Sequence, residues 1–229
     1  MNSVNRTPRV LLAFHGLFVV FMLLPLVVVA LVSFTDKGYI AMPFDGASWR
    51  WYRAILDAPD FIDAFWRSVA LGAAAATLAT LLAVPPRAGT APHPPGRPGA
   101  PAGPPVCPLM VPHVVLGIAL LRFLTQVGGS STLWGLTAAH TVLVLPYVLR
   151  LVVAAATGFD RSIAQAAQSL GASGWTVFRR IELPLILPGV AGGWLIAFIN
   201  SFDELTMSIF VASASTQTLP VKMYNHIAH

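Results

Sequence analysis

The chain has 229 residues, 56% of them hydrophobic and only 10% charged, with a formal net charge of +5. A soluble domain carries about 25% charged residues, so this composition excludes an ordinary water-soluble globule and indicates an all-α polytopic membrane protein, organised as a series of spans. The small positive balance makes no case for nucleic acid, and one cysteine, Cys107, excludes an internal disulfide or a cysteine metal cluster and reads as apolar filler.

Five apolar runs set the plan. The first, 10–32, follows Arg6 and Arg9 and contains Pro25; it is too long for the apolar core of a signal peptide and predicts a retained, kinked span. Residues 33–67 read as a hydrophilic loop, with Trp49, Trp51, Tyr52 and Trp66 as candidate interfacial anchors. The second run, 68–84, is rich in alanine and near the lower length limit for a span. The tract 85–107 follows, with nine prolines in 23 residues. Each interior proline removes a helical hydrogen bond and clashes with the preceding turn. The tract therefore reads as a proline-rich linker, or equally as a local reading-frame shift that is compensated further on.

The third run, 106–124, contains Pro108 and Pro112. The fourth, 133–156, contains His140 and Pro146, and the fifth, 185–212, is interrupted by Asp203 and Glu204. No sixth apolar run follows before His229, so the expectation is that a sixth span is missing and the record is truncated. Carboxylates flanked by apolar sequence are costly in lipid and should face protein or a watery path. Asn200, Asp203 and Glu204 are thus candidates for a translocation path, against the plainer reading of a solvated helix end. His113 and His140 read as hydrogen-bonded packing residues. No metal-ligand spacing or Ser/His/Asp arrangement stands out. The only lysines, Lys37 and Lys222, are not followed by Ser or Thr, which excludes a phosphate-binding loop of the Gly-Lys-Ser/Thr type. No catalytic site and no bound cofactor is expected on this chain, and a membrane-embedded enzyme would lack the clustered residues it needs.

Between the fourth and fifth runs lies the most informative stretch, 161–189. Ile163, Ala166, Ala167 and Leu170 share one helical face, with Arg161, Gln165, Gln168 and Ser169 largely away from it. Gly171 breaks the helix. Gly174, Val177, Phe178 and Ile181 repeat the spacing, Arg179 and Arg180 are placed to end that second helix, and Pro184 and Pro188 open the next run. The pattern predicts two short helices joined by a glycine turn at a membrane surface.

Gln165-Ala166-Ala167, three residues, Gly171, nine residues, Ile181, one residue and Leu183-Pro184 resembles the EAA coupling loop of the permease subunits of binding-protein-dependent ABC importers. Leu170-Gly171-Ala172-Ser173 and Pro188-Gly189 extend the match; Gln165 departs from it, standing where the family has Glu. Pro112-His113-Val114-Val115-Leu116-Gly117-Ile118-Ala119-Leu120, Ser201-Phe202-Asp203-Glu204 and Thr218-Leu219-Pro220 look like the spermidine/putrescine branch. The resemblance implies a single permease domain over 1–229 with a coupling loop at 161–184, in a bacterial inner membrane. It implies as partners a second permease subunit, an ATPase dimer that binds ATP, and an extracytoplasmic binding protein. Gln165, Ala166, Ala167, Leu170, Gly171, Ile181, Leu183 and Pro184 would then couple to the ATPase. The alternatives that share the loop are an importer for iron(III), thiamine or another organic cation, and a non-functional relic. With the N-terminus inside, eight basic residues fall inside and six outside, a bias that agrees with a cytoplasmic coupling loop.

Overall fold

A computed structural model describes residues 9–36, 46–84, 111–158 and 160–228. The proline-rich tract 85–107, with Cys107, lies outside the described residues, as does the start of the third run. Among the described residues every regular element is helical, apart from one isolated bridge between Thr35 and Ala47. The chain divides into two compact units, Met1–Ile62 and Asp63–His229.

In the first unit, helix α1 (Arg9–Val32) includes Pro25 and is apolar on all sides, and its large apolar side chains are exposed from Val10 to Leu31. A predominantly apolar stretch of 23 residues with no buried face has the composition of a membrane span. Helix α2 (Arg50–Leu56) lies where a loop is expected from the sequence. The aromatic residues of this segment form a cluster. Phe34 meets Trp49 and Tyr52 with ring centroids 5.0 and 5.3 Å apart. The polar tips are satisfied: Trp51 Nε1 donates to the Thr35 carbonyl at 3.0 Å, and the Tyr52 hydroxyl lies 2.7 Å from Ser33 Oγ.

Helix α3 (Pro59–Ala83) starts well before the apolar run 68–84, so residues 59–67 correct the loop expectation too. Pro59 sits at the first helical position and Asp60 in the first turn, both favourable at a helix start. The alanine content of this run is explained by packing. Ser68, Leu71, Gly72, Ala75, Ala76, Ala79 and Ala83 form a buried stripe of small residues.

Helix α4 (His113–Gln126) has 14 residues. At 1.5 Å per residue that is about 21 Å, short of the ~30 Å hydrocarbon layer. The third run is thus helical only from His113 among the described residues. Pro112 stands outside the helix in an extended conformation, as proline at a helix entry does. Four helical stretches are long and apolar enough to cross a membrane, 10–32, 59–83, 133–157 and 174–202, with α4 shorter.

Helix α5 (Leu133–Thr157) packs most extensively against helix α8 (Leu183–Phe202). The reason is a small-residue seam. A Cβ added at Gly189 would collide with the Ala155 side chain, and one at Gly193 would meet Val148 Cα at 3.3 Å. Glycines four apart on one helix face let two backbones approach closely, which apolar membrane helices use in place of a hydrophobic driving force. Leu136, Ala139, Leu143, Val144, Val148 and Val152 of α5 and Ile186, Val190 and Ala197 of α8 fill this core.

Helices α6 (Arg161–Ser169) and α7 (Gly174–Val177) link α5 to α8. Arg179 and Arg180 do not end a helix, contrary to the sequence expectation. The chain passes from α7 through one π-helical turn, Phe178–Glu182, directly into α8, giving a continuous helical stretch over Gly174–Phe202. Pro184 accounts for the wider turn: its ring crowds the carbonyl four residues back, at Arg180, and a π turn relieves that clash without breaking the helix. After α8, helix α9 (Ser208–Val211) and helix α10 (Leu219–Ala228) complete the described chain. The fifth run is therefore one long helix that stops at Phe202, a turn, and a single short turn of helix. Helix α10 begins with its Leu219 N–H donating to Ser68 Oγ at 2.7 Å, which satisfies one orphan donor of the helix start.

Candidate functional site

The first candidate site is the α6–α7 segment. Asp160 caps α6 by accepting the Ser162 N–H at 2.9 Å, and that bond holds its exposed carboxyl below the ordinary carboxylate range. Ser173 caps α7 by accepting the Thr176 N–H at 3.3 Å. Between the caps the chain turns at Gly171, whose φ of +87° is left-handed. The Gly171 N–H donates to the Gln168 carbonyl at 2.9 Å and the Ala172 N–H to the Ala167 carbonyl at 3.1 Å. This pair of bonds is a Schellman C-cap, for which glycine at the left-handed position is preferred. Both helices thus have a defined start, and a left-handed glycine turn joins them.

The face that the spacing marks as apolar is turned outward. Ile163, Ala166 and Leu170 are exposed, Leu170 at 89% of its full area, and Ala167 is half-buried. The residue of α6 that packs inward is Ala164. Gln165 and Gly171 are also exposed. Further on, Ile181 and Leu183 are half-buried in the π turn and the first residue of α8, and Pro184 is exposed. The eight residues singled out in the sequence thus divide into a group at Gln165–Gly171, exposed except for the half-buried Ala167, and a group in the helix that leads to the α5–α8 core.

The second candidate site is the end of α8. Asn200 Nδ2 donates to the Ile196 carbonyl of its own helix at 2.8 Å. Asp203 is the exposed C-cap residue. Glu204, its neighbour, is 6% exposed. One carboxylate oxygen of Glu204 accepts the Met207 N–H at 2.6 Å, and the other lies 3.0 Å from His113 Nδ1 at the start of α4. The two acids therefore occupy different environments, although the sequence reading treats them alike.

The turn that carries Glu204 is braced from α5. His140, fully buried, has Nδ1 2.8 Å from Ser201 Oγ and Nε2 3.0 Å from Ser208 Oγ. One serine lies just before Glu204 and the other just after it, so a single imidazole ties both ends of the turn to α5. In the sequence, His113 and His140 are legible only as packing residues with polar partners. Their partners lie at least 61 positions away, and no local pattern identifies such pairs. The Asp160 cap, by contrast, carries a local signal, an Asp directly before an amphipathic run.

Comparison with known proteins places this geometry. Residues 106–226 match the family described as the binding-protein-dependent transport system inner membrane component. The spermidine/putrescine transport system permease protein PotC of Haemophilus influenzae is 32% identical, over 93% of this chain and 82% of its own length. The putrescine transport system permease protein PotI of Escherichia coli is 30% identical, over 99% of this chain and 83% of its own. Among solved structures, a bacterial ABC transporter for import of the acidic polysaccharide alginate superposes with a TM-score of 0.56 at 14% identity, covering 98% of this chain and 81% of that one. At that identity the likeness shows a shared helical fold. The family match covers more than half of the chain, including α4 to α9 and both candidate sites, and the chain belongs to the inner membrane permease components of binding-protein-dependent ABC importers.

Proposed function

We propose that this chain is the permease subunit of an importer for aliphatic polyamines, driven by ATP that a partner ATPase binds. The single observation that carries the coupling part is the exposed face of α6 beside a fixed turn. Ile163, Ala166 and Leu170 point away from the chain, and an apolar face at the end of an otherwise packed helix pair is a surface for a partner. Ala166 and Ala167 are small enough for that partner to come close to the backbone. Force on this face passes through the continuous stretch Gly174–Phe202 to the turn at Glu204. Ile181, Leu183 and Pro184 lie on that line.

The substrate class is supported by the PotC and PotI relatives and by the acids at the far end of α8. A polyamine is a polycation, and Asp203 and Glu204 offer one exposed and one buried carboxylate. The loop containing α6 and α7 and the N-terminus are placed on the cytoplasmic side, in agreement with the basic-residue bias. The remaining partners of the reading are a second permease subunit and an extracytoplasmic binding protein, and the tract 85–107 serves as a cytoplasmic linker.

The test is uptake of a labelled aliphatic diamine into vesicles containing the assembled complex, with Gly171→Asp as the coupling variant. A Cβ at Gly171 meets nothing within 4 Å, and Asp tolerates left-handed backbone better than most residues. The substitution meets no neighbouring atom, strains the left-handed turn at φ +87°, and places a charge on the docking face. ATP-dependent uptake is lost while membrane insertion remains; normal transport by this variant would refute the docking assignment.

A further inference from the structure

The buried carboxylate of Glu204 is not empty in this state. One oxygen is tied to the backbone N–H of Met207, and the other holds the imidazole of His113. The two partners are unequal. The Met207 N–H belongs to the same turn and that turn is braced by His140 through Ser201 and Ser208. His113 comes from another helix and is 42% exposed at its side chain, against 6% for Glu204. The imidazole is thus the solvent-accessible member of the pair and the carboxylate the covered one. The approach of α4 is close: a Cβ at Gly117, one turn further along α4, would meet Phe210 at 3.0 Å and Met207 Cα at 3.1 Å. The pair is therefore set by backbone packing, with His113 its more exposed member.

We propose that His113 is an internal competitor for the substrate's ammonium group: it occupies the Glu204 carboxylate when the path is empty and exchanges for the cation as substrate passes. This inference rests on the polyamine reading above. It follows from the cost of a bare buried carboxylate, which must keep a charge-assisted partner at each stage. An imidazole suits the role, since it donates a hydrogen bond whether or not it is charged and so holds the carboxylate without a permanent positive charge. His113 then decides which cargo passes, because only a cation or strong donor can replace it.

The inference separates cleanly from a structural ion pair. If the pair only holds α4 against the turn, Lys is the conservative replacement for His113 and Gln the disruptive one. If His113 must yield to substrate, the order is reversed. The experiment compares diamine uptake by vesicles containing the whole importer with wild-type chain, H113Q, H113K and E204Q, each checked for co-purification with the ATPase subunit. The expected result is that H113K lowers uptake about tenfold or more, as a fixed charge at a close pair does, that E204Q also loses uptake, and that H113Q transports faster than wild type. Uptake retained in H113K, or unchanged or slower in H113Q, overturns the inference and leaves the polyamine reading standing. Should H113K fail to co-purify, H113Q decides alone: faster uptake supports the exchange, and unchanged or slower uptake overturns it. A wild-type complex that moves no diamine overturns both the substrate reading and the inference.

Discussion

At the scale of the residue, four buried polar side chains, His140, Ser201, Glu204 and Ser208, meet at one turn. Both nitrogens of His140 and the hydroxyls of Ser201 and Ser208 are satisfied by one another in a fully buried site. Such a network is stabilising only when complete, because each orphaned buried group costs about 1–3 kcal/mol. His140→Ala should therefore destabilise the chain by about 3 kcal/mol, from two lost hydrogen bonds and a cavity. Denaturation of the purified protein in micelles measures this, and a loss under half that size would contradict the account. Asp203 is an exposed C-cap residue, and in the proposed path it acts by its charge and not by packing, so Asp203→Asn is expected to slow uptake of a cationic substrate while assembly is unchanged. Equal uptake kinetics would remove Asp203 from the path. How much of this was legible in the sequence follows from distance along the chain. Glu204 stands out because an acid amid apolar residues is unusual, but its separation from Asp203 into a buried role does not. That depends on His113, Met207 and the direction in which α8 ends.

At the scale of the element, the α6–α7 segment was legible almost throughout because its signals are local. The i, i+3, i+4 spacing, the Asp160 and Ser173 caps and the left-handed glycine all act within a few residues. The error at Arg179 and Arg180 is instructive. Basic residues before a proline read as a helix end, yet tertiary packing carries the helix on through a π turn. The capping carboxylate of Asp160 gives a pH dependence whose sign is set by its lowered pKa. Its contribution is complete above the ordinary carboxylate range and is lost as pH falls through the lowered value. Acidification should fray α6 in the wild type, and Asp160→Asn, which retains an acceptor without a titrating group, should remove that dependence; helical content followed by circular dichroism distinguishes the two. The α5–α8 seam makes a sharper prediction. Gly189→Leu forces a side chain into Ala155 and the Leu151 carbonyl, and overpacking of this kind costs about 1–3 kcal/mol. Its loss of stability should exceed that of Gly192→Leu, where nothing lies within 4 Å of the added Cβ. Equal losses would show that the seam is not closely packed. The helical extensions at 50–56 and 59–67 were missed for the opposite reason. Their polar residues conceal a helical start that only Pro59, Asp60 and the aromatic cluster support.

At the scale of the whole molecule, composition alone identifies the solvent of this protein, and the helical regular structure of the described residues is the consequence. In lipid every backbone polar group must be satisfied within its own segment. The small residues then explain how such helices hold together. Alanines bury one face of α3, and glycines bring α8 against α5. What composition cannot supply is the direction of force. In the proposed mechanism that comes from one continuous helical stretch, Gly174–Phe202, with the amphipathic α6 and its exposed apolar face before one end and a braced acidic turn at the other. The central claim is that the exposed face of α6 is where the ATPase pushes. A photoreactive amino acid at position 170, in place of the 89% exposed Leu170, tests it most directly in the assembled complex. The same probe at Leu185, an exposed position on α8, serves as the control. The account predicts a covalent adduct with the ATPase subunit from position 170 and none from position 185. An ATPase adduct at neither position, with the complex intact, would contradict it.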